Sequence, residues 1–122
     1  AEDLGKYGTM LLNHGLVNNK ELLDRELINL FTARQSTVDE ANRGYGWDRP
    51  DRDGTSSAGD YFSDKAFGHL GYTGTSFWID PEQQLIVVLL TNRVHPTRER
   101  SGIKQVRRRF HNTVVKSILN FN

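Results

Sequence analysis

The residues best suited to chemistry in this sequence are a histidine and nearby glycines that lie directly before a predicted strand. Segment 67–76 contains His69 and Gly71, and the alternation of apolar residues through Phe77 and Ile79 predicts an extended strand after them. Glycine beside a strand lets a ligand or a second backbone approach closely. By itself such a histidine is more often structural, but the whole pattern predicts a binding site between a turn and a strand.

Other polar groups have weaker chemical patterns. His14, His95 and His111 have no i, i+4 pairing that would place two of them on one helix face, so we assign no metal. Residues 48–54 only superficially resemble a calcium loop, because arginines interleave the acidic residues and the closing glutamate is absent. No aromatic residues are interleaved with the arginines at 107–109, which favours a solvated helix face over a nucleic-acid site.

Nearly the whole chain resembles one protein family. The string FGHLGYTGTSFWIDPE, followed by QLIVVLLTNRVHP, resembles the C-terminal part of serine β-lactamase-like hydrolases. The segment 3–15 resembles the helix near the end of that family's helical region. These include class C β-lactamases, penicillin-binding proteins and related esterases and amidases. In that family a Lys/His-Thr/Ser-Gly motif on an edge strand lines the substrate cleft, and His69-Leu70-Gly71 stands in the matching place.

The resemblance implies a role for each residue around this motif. His69 would donate to a substrate carboxylate or carbonyl, Gly71 would make room, and the backbone N–H of Tyr72 would form one arm of an oxyanion hole. Leu70 and Thr73 complete the expected substrate-binding residues. Leu70 departs from the motif because it lacks the hydroxyl of Thr or Ser, which favours a muropeptide amidase, esterase or peptidase over a dedicated β-lactamase. No cofactor is expected.

The family also needs a Ser-x-x-Lys nucleophile pair and a Tyr-x-Asn triplet upstream of this strand, and neither is evident there. Ser101 and Lys104 have the spacing that places both on one helix face. They follow the strand in a polar run, however, so we interpret them as coincidence. We therefore expect residues 1–122 to be a C-terminal fragment of one hydrolase domain with no internal boundary. Its expected partner is the N-terminal portion that carries Ser-x-x-Lys.

Two helices are expected in the first third of the chain. Asp3 is expected to cap a helix that ends near Gly15, and Asp24 to cap a second that ends near Arg34. Their predicted apolar faces are Leu4, Tyr7 and Leu11 in the first helix, and Leu27, Leu30 and Phe31 in the second. Residues 35–64 then read as a long polar connection. Within it, 45–47 is a possible short strand, and by resemblance the small, flexible segment 56–60 crosses the mouth of the cleft.

The last part of the chain predicts a hairpin and a helix. Thr75 to Asp80 and Leu85 to Thr91 form antiparallel strands joined by a turn at 81–84. The second strand is apolar on both faces, so it should be central and covered by helices on each side. The expected buried face of the C-terminal helix is Ile103, Val106, Phe110, Val114 and Ile118.

Composition excludes little. Sixteen basic and fifteen acidic residues give a net charge of +1, which favours neither nucleic acid nor an acidic partner. The chain has no cysteine, and its longest apolar run is too short to cross a bilayer. The resemblance implies a periplasmic, extracellular or cell-envelope location. Because the apolar sheet needs cover that this chain only partly provides, we expect marginal stability or a homo-oligomer for the chain alone.

The sequence therefore predicts an α+β fold with a mainly antiparallel sheet flanked by helices, as in the C-terminal part of the penicillin-binding fold. The expected function is the substrate-binding and oxyanion-hole portion of a serine hydrolase that acts on a muropeptide, peptide, ester or β-lactam. Without the nucleophile motif, this chain alone is expected to be inactive. The alternative is a non-catalytic module that uses the same strand to hold or assemble a ligand.

Overall fold

A computed structural model describes residues 1–35, 42–99 and 101–119 of the protein. Three helices and five strands occur in the described chain, which confirms the α+β class. The helices are α1 (Glu2–Leu12), α2 (Arg25–Thr32) and α3 (Ile103–Leu119), and the strands are β1 (Leu16–Val17), β2 (Lys20–Glu21), β3 (Phe67–Leu70), β4 (Ser76–Asp80) and β5 (Leu85–Leu89).

The main sheet has three antiparallel strands in the order β3-β4-β5, while β1 and β2 form a separate two-stranded ribbon. The predicted hairpin is confirmed as β4 and β5. The second strand was predicted to be central, but within the described chain β4 occupies the centre, and every residue of β4 is buried. Helices α1 and α3 do cover the two faces of β5. In the described chain its outer edge has no partner strand.

Alternation along β4 divides the core into two layers. Phe77 and Ile79 face α1 and α2, in a cluster that also contains Met10, Leu11, Ile28 and Phe67. Trp78 faces α3, in a cluster with Ala58, Phe62, Ala66, Leu85, Val87 and Val115. We call these the front face and the back face of the sheet.

The helix ends only partly follow the predicted capping. Asp24 caps α2 as expected, because the Leu27 N–H donates to Asp24 Oδ1 at 3.0 Å. Asp3 does not cap α1; it lies inside the first turn, and Ala1 precedes the helix with no side-chain cap. Gly15 has the expected left-handed backbone, with φ +88°, and its N–H donates to Met10 O at 2.9 Å.

The apolar side predicted for α2 is exposed instead of buried. Leu27, Leu30 and Phe31 are 44%, 51% and 43% exposed, whereas Ile28 is the buried residue of the helix. The helix also ends at Thr32, earlier than predicted. The Tyr45 ring contacts Phe31, with centroids 5.6 Å apart, but no described helix or strand covers this apolar side. Full burial of these residues therefore needs a further partner.

The buried face of α3 is shifted by one residue from the prediction. Arg107, His111 and Val115 are buried, whereas Val106 and Ile118 are 53% and 55% exposed. The expectation that the arginines at 107–109 form a solvated face was therefore wrong for Arg107. Arg107 donates hydrogen bonds to the turn before β4, and His111 Nε2 bonds to Ser76 Oγ. His111 Nδ1 is buried without a hydrogen-bond partner among the described residues.

The connection before β3 contains no strand at 45–47. The Gly44 N–H donates to Trp47 O, so the chain turns there, and Asp48 forms the bridge to β3. Segment 56–60 is packed and hydrogen bonded, not loose: Ala58 is 1% exposed, and Asp60 pairs with Arg108 on α3 at 2.8 Å. Residues 36–41 of the predicted polar connection, and Arg100 of the later polar run, lie outside the described residues.

Candidate active-site strand and turn

Strand β3 is the edge of the sheet that carries the His69-Leu70-Gly71 motif. Its partner on the inner side is β4, with His69 opposite Phe77 and Leu70 opposite Ser76. On the outer side, Gly68 exchanges two hydrogen bonds with Asp48, at 2.8 and 2.9 Å. A Cβ on Gly68 would lie 2.4 Å from Phe77 O and 2.5 Å from the Trp78 ring. Glycine at this position therefore lets β3 lie directly against β4.

The structure places His69 and Leu70 on opposite faces of the sheet. His69 is exposed and shares the front face with Phe77, so its imidazole is accessible to a ligand on that side. Leu70 is partly buried against the back-face cluster. Of these two residues, only His69 presents its side chain on the front side, while Leu70 contributes its backbone to the outer edge.

Residues 71–75 form a tight turn between β3 and β4. The Gly71 N–H donates to Thr75 O at 2.7 Å, and the Gly74 N–H donates back to Gly71 O at 3.0 Å. Gly74 has φ +101°, and a Cβ there would lie 2.3 Å from Thr91 Oγ1. The turn therefore depends on glycine at position 74, for its backbone conformation and for its close packing.

Every carbonyl of this turn accepts a hydrogen bond. Arg107 donates to the carbonyls of Gly71, Gly74 and Thr75. Arg93 Nε donates to Tyr72 O at 2.9 Å, and the Arg93 backbone N–H donates to Thr73 O at 2.8 Å. The turn is thus fixed from two sides by two arginines.

The N–H of Tyr72 points away from this network. A trans peptide group directs its N–H and C=O in opposite directions, and the carbonyl of the same group, Gly71 O, points into the turn toward Arg107 and Gly74. No described residue accepts a hydrogen bond from the Tyr72 N–H. The Tyr72 side chain is 66% exposed, and the Arg93 guanidinium carbon lies 4.8 Å from its ring centroid. Thr73 is also exposed.

A buried histidine lies behind the turn. His111 on α3 is fully buried, and its Nε2 lies at hydrogen-bonding distance, 2.9 Å, from Ser76 Oγ. Burial, and to a smaller extent the positive charge of Arg107, lower the pKa of His111 to about 4. The histidine is therefore neutral near pH 7, and it supports the start of β4 without facing the front side.

An apolar cavity of about 210 Å³ opens on the front side, the side that His69 faces. Residues of α1, α2 and the connection line it, namely Tyr7, Leu11, Leu23, Leu27, Ile28, Phe31, Thr32 and Trp47. Its walls are continuous with the exposed side of α2. The cavity therefore belongs to a surface that is apolar and only partly covered.

Other candidate groups do not assemble into a site. Ser101 lies before α3, which begins at Ile103, and both Ser101 and Lys104 are exposed. Their predicted placement together on one helix face is therefore not observed. Among the described residues no cluster of His, Asp or Glu could hold a metal ion. None of the helices in the described ranges has the length and apolar character needed to cross a membrane.

Sequence reasoning missed Arg93 and Arg107 as neighbours of the motif. The one signal in the sequence was the i, i+4 spacing of Arg107, His111 and Val115, which is a helical stripe in which two of three residues are polar. Such a stripe is normally assigned to solvent. The roles predicted for His69, Leu70, Gly71, Tyr72 and Thr73 stay predictions.

An antiparallel sheet between helices, with a His-x-Gly edge strand leading into a fixed turn, defines the C-terminal part of an α+β domain of the β-lactamase and penicillin-binding type. Comparison with known families agrees, since the family model described as Beta-lactamase matches residues 1–111. The chain belongs to this family.

Several curated relatives carry hydrolase names. The chain is 36% identical over 99 residues to an N-acetylmuramyl-L-alanine amidase of Bacillus subtilis, which covers 78% of this chain and 21% of the relative. It is 33% identical over 96 residues to a putative D-alanyl-D-alanine carboxypeptidase of Salmonella typhi, covering 78% of the chain and 22% of the relative. An uncharacterized protein of Alkalihalophilus pseudofirmus is 31% identical over 126 residues, covering 98% of this chain and 37% of that protein. The chain thus spans well under half the length of these relatives.

Proposed function

We propose that this chain forms the substrate-binding and oxyanion-stabilising part of a serine hydrolase that cleaves an amide or ester by acyl transfer. The observation that carries the proposal is the Tyr72 N–H, which points out of a turn whose carbonyls are all engaged. A fixed N–H that donates to no described residue is suited to a developing oxyanion. One such donor contributes about 3 kcal/mol to transition-state stabilisation.

The substrate would bind along the outer edge of β3. Gly68 directs its backbone groups outward to Asp48, whereas Gly71 directs its N–H inward to Thr75. Strand alternation therefore directs the N–H and C=O of Leu70 to the same outer edge as those of Gly68. Asp48 already pairs with this edge at Gly68, so an extended acyl chain can pair with it from Leu70 onward as a short added strand. The exposed His69 imidazole donates to a carbonyl or carboxylate on the front side.

The chemistry of this proposal needs a nucleophile from an N-terminal portion. A serine there attacks the substrate carbonyl, a lysine or tyrosine beside it accepts and returns the proton, and the Tyr72 N–H stabilises the oxyanion. The uncovered front side gives that portion a surface to pack against, because Leu27, Leu30 and Phe31 are exposed there. The outer edge of β5 is a second place where it can pair with the chain.

Relatives support a cell-wall peptide as the substrate class. Two of them are named as an N-acetylmuramyl-L-alanine amidase and a putative D-alanyl-D-alanine carboxypeptidase, and both names refer to amide bonds of muropeptides. We propose the same class of substrate for this chain, and with it a location in the cell envelope, periplasm or extracellular space.

Covalent labelling tests the proposal. A fluorophosphonate or a fluorescent penicillin is applied to this chain alone and to the protein that continues it upstream with a Ser-x-x-Lys segment. We expect label on the longer protein only, and a His69→Ala variant should label more slowly. A Ser101→Ala variant is the matched control and should label as the parent does.

Two results would contradict the proposal. Label on this chain alone that disappears in Ser101→Ala would make Ser101 the nucleophile. No label on either protein, together with retained binding of a muropeptide, would favour the non-catalytic binding module instead.

A further inference from the structure

Arg107 is a buried cation that is satisfied by carbonyl groups. It is 7% exposed, and it donates from Nε to Gly74 O at 2.9 Å and from Nη2 to Gly71 O and Thr75 O at 2.7 and 2.9 Å. Within the described ranges no carboxylate forms an ion pair with it. Burial and the charge of Arg93 both lower its pKa. A full positive charge therefore lies beneath the turn, and no described carboxylate serves as its counter-ion.

Burying a charge in this way is costly, and the turn alone does not require it. Neutral donors could satisfy three carbonyl groups without desolvating a cation. The charge can also act on the opposite side of the turn, through the peptide groups whose carbonyls it contacts. One of the three acceptors, Gly71 O, belongs to the same peptide group as the Tyr72 N–H.

We infer that Arg107 is a positioning residue for the oxyanion hole, acting through the peptide group that joins Gly71 to Tyr72. The guanidinium holds the carbonyl of this group, and because the group is planar and trans, the direction of the Tyr72 N–H is fixed with it. A cation on the carbonyl also polarises the amide, which makes its N–H a stronger hydrogen-bond donor. This inference rests on the proposed function.

The effect should be larger in the transition state than in the bound substrate. A polarised N–H interacts more strongly with an oxyanion than with a neutral carbonyl, since the acceptor then carries a full charge. An interaction that strengthens only as charge develops raises kcat and leaves KM nearly unchanged. A side chain that merely held the turn in shape would alter both parameters, because the edge of β3 would move with the turn.

The experiment uses the complete enzyme, that is, this chain together with the portion that carries the nucleophile. Arg107→Met removes the charge and keeps most of the side-chain volume, whereas Arg107→Lys keeps the charge. Arg109→Met is the matched control, since Arg109 is exposed on the same helix. For each variant we would measure kcat and KM with an amide or ester substrate. We would also measure the affinity for a boronic acid that mimics the tetrahedral intermediate, and for the product acid as a ground-state ligand.

We expect Arg107→Met to lower kcat by about 10-fold to 100-fold. Removing a whole oxyanion donor lowers kcat by about 100-fold or more, so this effect should not be larger. Boronic acid affinity should fall by a similar factor, while KM and product affinity change by less than about two-fold. Arg107→Lys should recover part of the loss, and Arg109→Met should match the parent. If circular dichroism shows that Arg107→Met does not fold, Arg107→Lys is the test variant. Its affinity for the boronic acid should then fall by more than its affinity for the product acid.

Two different failures can be told apart. If the parent enzyme neither turns over substrate nor binds the boronic acid, the proposed function fails and this inference falls with it. If the parent is active but the Arg107 variants keep its kcat, or lose activity through KM and product affinity equally, Arg107 is only structural and the inference alone is overturned.

Discussion

His111 is a buried histidine whose protonation opposes folding. Its pKa is lowered from 6.5 to about 4 in the folded chain, so between these values the unfolded chain binds a proton that the folded chain does not. The free energy of unfolding therefore decreases as the pH falls from about 6.5 and levels off below about 4. The full difference corresponds to roughly 3 kcal/mol.

Urea unfolding of the chain between pH 7 and pH 4 measures this dependence. In His111→Gln, where an amide replaces the titrating ring beside Ser76, the dependence over this range should be much weaker. His69→Gln, which makes the same replacement at an exposed histidine, is the matched control variant. The lowered carboxyl pKa of Asp60, caused mainly by its hydrogen bond from Asn112, contributes stability that is lost only at lower pH. An equal pH dependence in parent and His111→Gln would contradict the assignment.

At the scale of single residues, the sequence identified the motif but not its supports. His69, Gly71 and Tyr72 lie within four consecutive residues, so a local pattern was enough to select them. Arg107 reaches them from a distant helix and bonds to backbone carbonyls, which every residue carries. No residue-type pattern marks such acceptors, and an arginine in a basic run is normally assigned to solvent.

At the scale of elements, the contact of β3 with β4 depends on a missing side chain at Gly68. Gly68→Ala would place a methyl group 2.4 Å from Phe77 O and 2.5 Å from the Trp78 ring. Both neighbours are buried in the sheet, so the strands must separate. Overpacking of this kind costs about 1–3 kcal/mol, and we expect thermal unfolding to show a lower Tm.

Gly5→Ala in α1 is the matched comparison. A Cβ there meets nothing within 4 Å, and alanine is favoured over glycine inside a helix by about 0.5–1 kcal/mol. Its Tm should therefore rise slightly while that of Gly68→Ala falls. Equal Tm values for the two variants would show that β3 does not depend on close approach at Gly68.

Elements that follow from local chemistry were predicted well. Asp24 as a cap, Gly15 as a left-handed residue and the hairpin of β4 and β5 all depend on residues close in sequence. The rotation of α3 was not predictable in this way. Its apolar stripe and its buried stripe differ by one residue because polar groups in other segments bond to Arg107 and to Nε2 of His111.

At the scale of the whole molecule, the described chain has more apolar surface than its own helices and strands cover. The sequence indicated this from β5, whose two faces are both apolar, and the structure adds the exposed side of α2. Which segment covers α2 cannot be read from this sequence, because burial is a property of the partner as well as of the helix.

We predict that the chain alone self-associates through the exposed side of α2. Leu30 and Phe31 are 51% and 43% exposed on α2, and Phe31 lines the front cavity. Because about half of each side chain is already covered, burying the rest contributes about 1.5–3 kcal/mol before the entropic cost of association. Sedimentation equilibrium should show a concentration-dependent dimer or larger species. The double substitution of Leu30 and Phe31 by lysine should shift it to monomer, because lysine places two charges on the apolar side. Phe31 also contacts the Tyr45 ring, with centroids 5.6 Å apart, so circular dichroism should first show that the variant folds.

Val106→Lys is the control for this prediction, since Val106 is exposed to a similar extent, 53%, on α3; it should leave the association unchanged. Addition of the N-terminal portion should compete with self-association in the parent chain and bind the double variant more weakly, since both processes would use the same apolar side of α2. If the parent chain stays monomeric at all concentrations and melts cooperatively, the chain is stable with the apolar side of α2 exposed to solvent. That result would count against the need for an N-terminal portion that covers this side.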